Sequence, residues 1–352
     1  MKCDAIVFEQ AGQVGFDRFE LGPCGDEEIV AETIYSFVSP GTELRVLSGA
    51  EPAKDSFPLV PGYSWVGRVI EIGSNVKGWR EGDLVSGRNP LPLRGIKQLW
   101  GGQASHHRCP VAGYDRVVKL PHAARAWDYV PLEVAGISWR GVTSAFPAPG
   151  ETAVVIGQGL IGAFNALWLL TLGSRVIVLD LREERLERAR GWGVAAALNA
   201  SAPDIREQIL ALCEAGIDIV MESSGTVPGA ELAYSLTREP VYRTQDLSYP
   251  FGALGGMANV WPRLVFQATH TKTIECLACG PTTPEGILVL KPRDRTVGDR
   301  LAAMEKIRSG VLKMADIVDE PTPVNEARAS YTALRDRPDR VSAVAFQWPL
   351  AQ

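Results

Sequence analysis

The chain is short of three things, and each shortage removes a class of function. It has no basic excess: 36 Lys and Arg stand against 41 Asp and Glu, for a formal net charge of −5. Binding phosphodiester backbones needs a positive footprint, so nucleic acid is not an expected partner. It has no long hydrophobic run. The longest, near Ala163 to Leu172, falls well short of the roughly 20 residues that cross a bilayer, and Met1-Lys2-Cys3-Asp4 opens without a signal-peptide h-region. No membrane association is expected, and the location read from these features is cytoplasmic. Soft metal ligands are also scarce. The chain has four histidines, and six cysteines scattered at Cys3, Cys24, Cys109, Cys213, Cys276 and Cys279, which suits a reducing compartment better than a disulfide framework. Only Cys276 and Cys279 have a motif-like spacing. They sit in a strand-like stretch with His270 as the single nearby ligand candidate, so they read as two small buried thiols.

What remains is a globular chain with 46% hydrophobic and 22% charged residues. Its 352 residues are too many for one ordinary domain and comfortable for two. From residue 1 to about Pro121 the texture is short β-like runs broken by glycine and proline, at residues 5–8, 28–35, 65–73, 83–86 and 116–120. Residues 128–146 read as helical pieces, and Pro147-Ala148-Pro149-Gly150 breaks the chain. Strand and helix then alternate, as in a parallel α/β sheet, through a strand near residues 217–222. Residues 240–265 are less legible, with a polar stretch and a glycine cluster where a clean strand is expected. Helices at residues 299–310 and 327–335 and a strand at 341–346 close the chain.

The most specific signal is Thr152-Ala153-Val154-Val155-Ile156-Gly157-Gln158-Gly159-Leu160-Ile161-Gly162, with an apolar helix after it and then Arg175-Val176-Ile177-Val178-Leu179-Asp180. A β-branched strand, a glycine turn, a helix, a second strand and a terminal acid follow at dinucleotide-binding distances. Backbone groups of Gly157, Gly159, Leu160, Ile161 and Gly162 would meet a pyrophosphate at the positive end of the helix. Asp180, 18 residues after Gly162, would accept the adenosine ribose hydroxyls and repel the extra phosphate of NADP. The cofactor expected is therefore NAD. Arg182 is the residue that could instead meet a 2′-phosphate.

Several pieces, in order, carry a family likeness: Pro61 through Val69, Gly73 through Val76, Gly82-Asp83-Leu84-Val85, Gly101-Gly102-Gln103-Ala104, Val118 through Pro121, the nucleotide stretch, and Ile217 through Gly225. Together they resemble the medium-chain dehydrogenase/reductase superfamily over nearly the whole length. The resemblance implies an α/β fold with a GroES-like partial β-barrel catalytic domain, residues 1–122 and 290–352, and a Rossmann doubly wound parallel sheet, residues 123–289. Between them it implies a cleft.

The zinc-dependent members' ligand motifs are replaced. Ser39-Pro40-Gly41-Thr42-Glu43 stands where a Cys motif belongs, and Tyr63-Ser64 where His-Glu belongs. Ile137-Ser138-Trp139 lies near the third ligand, and the structural zinc lobe is missing. The expectation is no metal. This pattern resembles a zinc-free branch that includes bacteriochlorophyllide 3-hydroxyethyl dehydrogenases and related polyol or sugar-alcohol oxidoreductases.

Within that resemblance, Tyr63 is the candidate that donates to a developing alkoxide, and it could shed a proton if its pKa were depressed. Equally, it could be a wedged aromatic whose hydroxyl satisfies a buried backbone group. Thr42 aligns with the family's proton-relay hydroxyl, or could serve as a helix N-cap. Ser39 lies beside the vacated ligand position. Glu43 matches an acid that pairs with an arginine, a structural role. Arg88 and Asn89 could orient a polar substrate or belong to a solvated loop. Trp100 is expected to wall the pocket, with Trp139 a weaker candidate. His106-His107 is read as structural, and His122 and His270 as ordinary surface or satisfied histidines. On the cofactor side, Arg185 falls where the family places a base near the adenosine, and Ser224 and Gly225 should approach the nicotinamide ribose.

The activity implied is a zinc-independent, NAD(H)-linked interconversion of a secondary alcohol and its ketone by a homodimer. The alternatives are an NADPH-dependent quinone or enoyl reductase and a non-catalytic nucleotide-binding protein.

Overall fold

The computed structural model describes all residues except 51–54, 123, 214–215, 238–261, 271–286, 293, 314–316, 318–319, 338–342 and 351–352. The expected thiols Cys276 and Cys279, and most of the stretch 240–265, lie outside the described residues.

In chain order the elements are β1 (Lys2–Gln10), β2 (Gln13–Glu20), β3 (Glu28–Val38), α1 (Pro40–Leu47), β4 (Leu59–Val60), β5 (Ser64–Ile72), β6 (Leu84–Gly87), β7 (Lys97–Gln98), β8 (His106–Pro110), β9 (Val118–Lys119) and α2 (Leu132–Ser144). The nucleotide stretch forms β10 (Thr152–Ile156), α3 (Leu160–Thr171) and β11 (Arg175–Asp180). There follow α4 (Glu183–Arg190), β12 (Ala196–Asn199), α5 (Ile205–Leu212), β13 (Ile219–Glu222), α6 (Val227–Thr237), β14 (Arg263–Phe266) and β15 (Leu288–Leu290). The chain closes with α7 (Val297–Arg308), β16 (Thr322–Pro323), α8 (Ala327–Asp336) and β17 (Val344–Gln347). Strands β2, β8 and β12 escape a hydrophobic-pattern search for a common reason: each is half exposed or polar, and its pairing comes from a neighbour.

The chain divides into two compact units, Met1–Gly136 with Thr296–Gln352, and Ile137–Arg295. The first is mostly β. One sheet runs β2-β1-β4-β7, and a seven-stranded sheet runs β16-β17-β3-β5-β6-β9 with β8 also on β3. The long strand β3 is buried almost throughout, because it is paired on several sides and packed on both faces. Its core gathers Ile6, Phe8, Val46, Tyr331 and Phe346, so the C-terminal segment is built into this unit. Arg300 on α7 donates to Glu133 at 2.6 Å and to the Arg116 carbonyl at 2.6 Å, a fully buried ion pair.

The second unit is a six-stranded parallel sheet in the order β12-β11-β10-β13-β14-β15. Counted from β10, this is the doubly wound order 3-2-1-4-5-6, whose switch point lies between β10 and β13. Strand β10 is buried along its whole length, and α3 is buried from Gly162 to Leu169, as an apolar strand and an all-round apolar helix require. Among the described residues, no helix is long and apolar enough to cross a membrane.

Candidate active site and cofactor site

Tyr63 sits just before β5, where two glycine turns meet. Gly102 N–H donates to the Gly62 carbonyl at 2.7 Å, and Gln103 N–H to Pro61 at 3.0 Å. A Cβ on Gly102 would lie 2.9 Å from Gly62 O, and Gly62 itself has φ +86°. Only glycine allows this approach of backbone to backbone. The result sets the Tyr63 and Trp100 rings edge to face, 5.3 Å apart, and the Arg88 guanidinium 5.4 Å from the Tyr63 ring centroid. Trp100 has φ +71°, a conformation that costs a side-chain-bearing residue roughly 1–3 kcal/mol. Asn89 is turned to the protein, donating to Asp115 at 2.8 Å.

The Tyr63 hydroxyl donates to Ser39 Oγ at 2.6 Å and also meets the Thr42 hydroxyl. Its acceptor is therefore a side chain, not the backbone group that a merely wedged tyrosine would satisfy. Ser39 is the residue before α1, and its side chain makes no cap bond. The helix begins at Pro40, whose missing N–H costs nothing there, so Thr42 lies inside the first turn and is not the N-cap. Burial pushes the Tyr63 phenol above its ordinary value, outweighing the Ser39 and Thr42 bonds that favour ionisation. The condition on which Tyr63 would shed its proton, a depressed pKa, is therefore not met, and the phenol keeps its proton at neutral pH.

Glu43 lies directly beneath, fully buried. It accepts from Ser39 N–H at 2.8 Å, the Tyr331 hydroxyl at 2.5 Å and Gln103 Nε2 at 3.2 Å. No arginine is among these partners; tyrosine and glutamine take its place. Gln103 in turn accepts from Ser36 Oγ at 2.6 Å, and Trp348 Nε1 donates to Ser36 at 2.8 Å. Tyr331 is 288 residues from Glu43 in sequence, so no local pattern could reveal this support.

Burial raises the Glu43 carboxyl to about 7, against three hydrogen bonds that lower it. The folded state therefore holds a proton that the unfolded chain releases, and stability falls as pH rises from about 4.5 toward 7. His107 works in the opposite direction. Buried and tilted against Trp65 at 4.1 Å, it is pushed down to about 3 by burial, so stability rises with pH from about 3 to 6.5. The two slopes oppose each other between about 4.5 and 6.5. Glu43→Gln should remove one, leaving a stability that climbs with pH across that window by an amount on the order of 1 kcal/mol per unit. Urea melts at pH 5, 6 and 7 read this directly, and a variant with the wild-type slope would contradict it. His106 is half buried and hydrogen-bonded at Nδ1 with Ser105 Oγ at 2.9 Å, so both members of the pair are engaged structurally, on alternate faces of β8.

Zinc takes thiolate, imidazole and carboxylate donors. Around Tyr63 the donors are the neutral hydroxyls of Ser39, Thr42 and Tyr63 itself, with a carboxylate already accepting three hydrogen bonds. This set does not fit the metal, and among the described residues no group of three His, Cys, Asp or Glu could hold one. Ser138, near the expected third ligand, donates to Asn165 Oδ1 at 2.5 Å, and Asn165 donates to Ser223 Oγ at 2.9 Å. Trp139, partly buried, packs edge to face on the buried Trp168 at 5.3 Å within its own unit.

The nucleotide turn fits a pyrophosphate. Gly157 has φ +87°, and a Cβ there would lie 2.8 Å from Ser224 Cα. A Cβ on Gly162 would fall 1.7 Å from Gly157 O. Helix α3 is capped by Gly159 with no side-chain bond, which leaves the N–H groups of Leu160, Ile161 and Gly162 facing outward from the turn. Gly162→Ala is therefore expected to cost about 1–3 kcal/mol, or more if the turn cannot move, and to lower dinucleotide affinity with it. Thermal melts and a fluorescence titration check both, and an unshifted melting temperature would refute it.

Asp180 ends β11 and is already used by the protein. Oδ2 accepts from Gln158 N–H at 2.6 Å and lies 3.4 Å from Arg185 Nη1, while Oδ1 accepts from Arg182 N–H at 3.0 Å. The acid thus braces the glycine turn with part of its accepting capacity. Arg182 reaches it through the backbone. Ser224 and Gly225 follow β13 and are held by Glu222, whose Oε1 accepts from Ser224 N–H at 2.8 Å, Ser224 Oγ at 2.5 Å and Gly225 N–H at 3.1 Å. His270 is not a surface residue: its Nε2 lies 2.8 Å from Glu222 Oε2, with side-chain exposures of 7% and 0%. Glu222 is the residue the sequence reading missed, although a lone acid ending the apolar run Ile219-Val220-Met221 is a usable signal.

Residues 28–123 match the family described as alcohol dehydrogenase GroES-like domain, and residues 161–240 the family described as zinc-binding dehydrogenase. An L-threonine 3-dehydrogenase of Streptomyces avermitilis is 35% identical over 225 residues, covering 58% of this chain and 64% of that protein. Among solved structures, an alcohol dehydrogenase from Escherichia coli CFT073 complexed with NADH superposes with a TM-score of 0.78 at 16% identity, covering 99% of each chain. A zinc-binding dehydrogenase from Sinorhizobium meliloti 1021 bound to NADP gives 0.79 at 17%, covering 99% of this chain and all of that one. With both family signatures in chain order on this fold, the chain belongs to the medium-chain dehydrogenase/reductase superfamily of nicotinamide-dependent oxidoreductases.

Proposed function

We propose that this oxidoreductase interconverts a secondary alcohol and its ketone with NAD(H) and without zinc, in the cytoplasm and as a homodimer. The observation that carries the reading is the Tyr63–Ser39–Thr42 hydroxyl cluster, set on a buried Glu43 where a zinc enzyme would have soft ligands. The nicotinamide, when bound, supplies or accepts the hydride. The chain's part is to handle the oxygen and its proton. Tyr63, kept protonated by burial, donates a hydrogen bond to the oxygen on which charge develops and in the reducing direction passes it the proton, while Ser39 and Thr42 relay a replacement proton that comes from water, each hydroxyl taking up one proton as it gives one. Trp100 and Arg88 flank the phenol, which favours a substrate carrying an apolar face and a polar or anionic group.

The NAD preference rests on Asp180, whose carboxylate is buried at the end of β11. Arg185 beside it softens the repulsion of a 2′-phosphate, so NADP is the second reading with an observation behind it. Fluorescence titration of chelator-treated protein with NADH and NADPH separates the two. Tight NADPH binding with no NADH response would reverse the cofactor assignment, and stoichiometric zinc after chelation would reverse the metal assignment. Turnover of secondary alcohols or ketones distinguishes an alcohol dehydrogenase from a quinone or enoyl reductase, and a protein that binds dinucleotide without any turnover is the non-catalytic alternative. Light scattering reads the dimer.

A further inference from the structure

We propose that Glu222 and His270 form a carboxylate–imidazole pair that holds the nicotinamide nucleoside half of the cofactor, with His270 as the hydrogen-bonding group and Glu222 as the residue that positions it. The inference rests on the nicotinamide cofactor reading above.

Three observations converge on it. The first is topological. Glu222 is the last residue of β13, and His270 lies four residues past the end of β14, both at the carboxyl ends of parallel strands. In this strand order the half built on β10, β11 and β12 takes the adenosine and the half that starts with β13 takes the second nucleoside. The second is the turn between strand and helix. Three donors from Ser224 and Gly225 converge on Glu222 Oε1, and the Ser224 backbone abuts Gly157 of the pyrophosphate turn. Gly229 is needed for this packing, since a Cβ there would lie 2.1 Å from Ser224 Oγ and 3.1 Å from Glu222 Oε1. One carboxylate oxygen is therefore spent on fixing the turn.

The third observation is what the other oxygen does. Glu222 Oε2 and His270 Nε2 are 2.8 Å apart, yet neither atom has an aligned hydrogen bond, although both are shielded from solvent. Buried polar atoms without a partner are rare enough that each calls for an explanation. The imidazole is also held edge to face on Phe266 at 5.7 Å, so its plane is fixed while its donor capacity is unspent. A ribose hydroxyl or a carboxamide has the chemistry to take that capacity: each can both donate and accept, which matches an imidazole nitrogen facing a carboxylate oxygen. A purely structural His–Glu pair would align the ring N–H with the carboxylate and leave neither atom short.

The experiment compares a probe that contains the nicotinamide nucleoside with one that lacks it. NADH and ADP are titrated into the wild-type chain, His270→Phe and His270→Gln, with thermal melts to verify folding. The phenylalanine variant should bind NADH about tenfold more weakly and ADP within a factor of two of wild type. Glutamine, which can again donate and accept, should recover part of the loss. Unchanged NADH affinity in His270→Phe would overturn the proposal, as would parallel losses of NADH and ADP, which mark a structural role alone. If the wild-type chain takes NADPH in place of NADH, the NAD assignment falls by itself and the same comparison is made with NADPH. If it binds neither dinucleotide, both readings fall.

Discussion

Tyr63→Phe is expected to lower kcat by at least about a hundredfold while leaving NADH affinity within a factor of two. Removing one oxygen takes away the only acid in the hydroxyl cluster, and a positioned proton donor contributes typically a hundredfold to ten-thousandfold to rate. The ring stays, so the edge-to-face contact with Trp100 and the approach of Arg88 to the ring face are kept. The phenol is held above its ordinary pKa by burial, so no alkaline limb from Tyr63 should appear in the pH profile below the range where tyrosine normally ionises. Steady-state kinetics alongside a fluorescence titration make the check. A kcat within threefold of wild type would remove Tyr63 from the chemistry and return it to a packing role. Thr42→Val, which leaves the phenol and its Ser39 partner in place, should have the smaller effect.

The second large effect is on stability. Glu133→Ala should cost about 3–5 kcal/mol, because it leaves the fully buried Arg300 guanidinium without its carboxylate at 2.6 Å. The bond from Arg300 to the Arg116 carbonyl is to a neutral group and does not neutralise the charge. Urea denaturation measures this as a shift in midpoint. The double variant Glu133→Leu with Arg300→Met should be markedly less damaged than the single one, since a buried pair gains little net energy over apolar packing and loses much when only one partner goes. A single variant that loses less than about 1 kcal/mol, or a double variant worse than the single, would show that the pair is not the buried and mutually dependent unit described.

The two candidate sites, one in each unit, differ in how much their residues disclosed. The nucleotide turn was legible because its constraints are local. A buried strand, a turn that tolerates no Cβ and a helix N-terminus follow one another within Thr152 to Thr171, and Gly162 against Gly157 O states the requirement in a single distance. Asp180 was found for the same reason, although its bonds to Gln158, Arg182 and Arg185 give it a bracing role that spacing alone does not reveal. The hydroxyl cluster around Tyr63 was legible only as a set of names. Ser39, Thr42 and Tyr63 were identifiable, but whether Tyr63 gives or takes a proton depended on its burial, which depends on packing. Glu43 has the buried supporting position expected of it but not the arginine partner, because Gln103 arrives from the loop before β8 and Tyr331 from the C-terminal helix. For His270 the sequence left two readings, a surface histidine or one satisfied by a partner, and only the fold selects the second, because Glu222 reaches it from the end of β13.

Sequence alone determined the parts of this protein governed by neighbours along the chain: the dinucleotide turn, the alternation of strand and helix, the absence of soft metal ligands at Ser39 and Tyr63, and the family likeness. Hydrophobic periodicity and turn chemistry act over a few residues, so they are written in order. Tertiary structure decided the electrostatics. The raised Tyr63 and Glu43, the depressed His107, the Glu133–Arg300 pair and the Glu222–His270 contact each arise from desolvation and from partners separated by tens to hundreds of positions. A charge is stabilised or penalised by everything within a few ångströms of it, and only the folded chain brings those groups together.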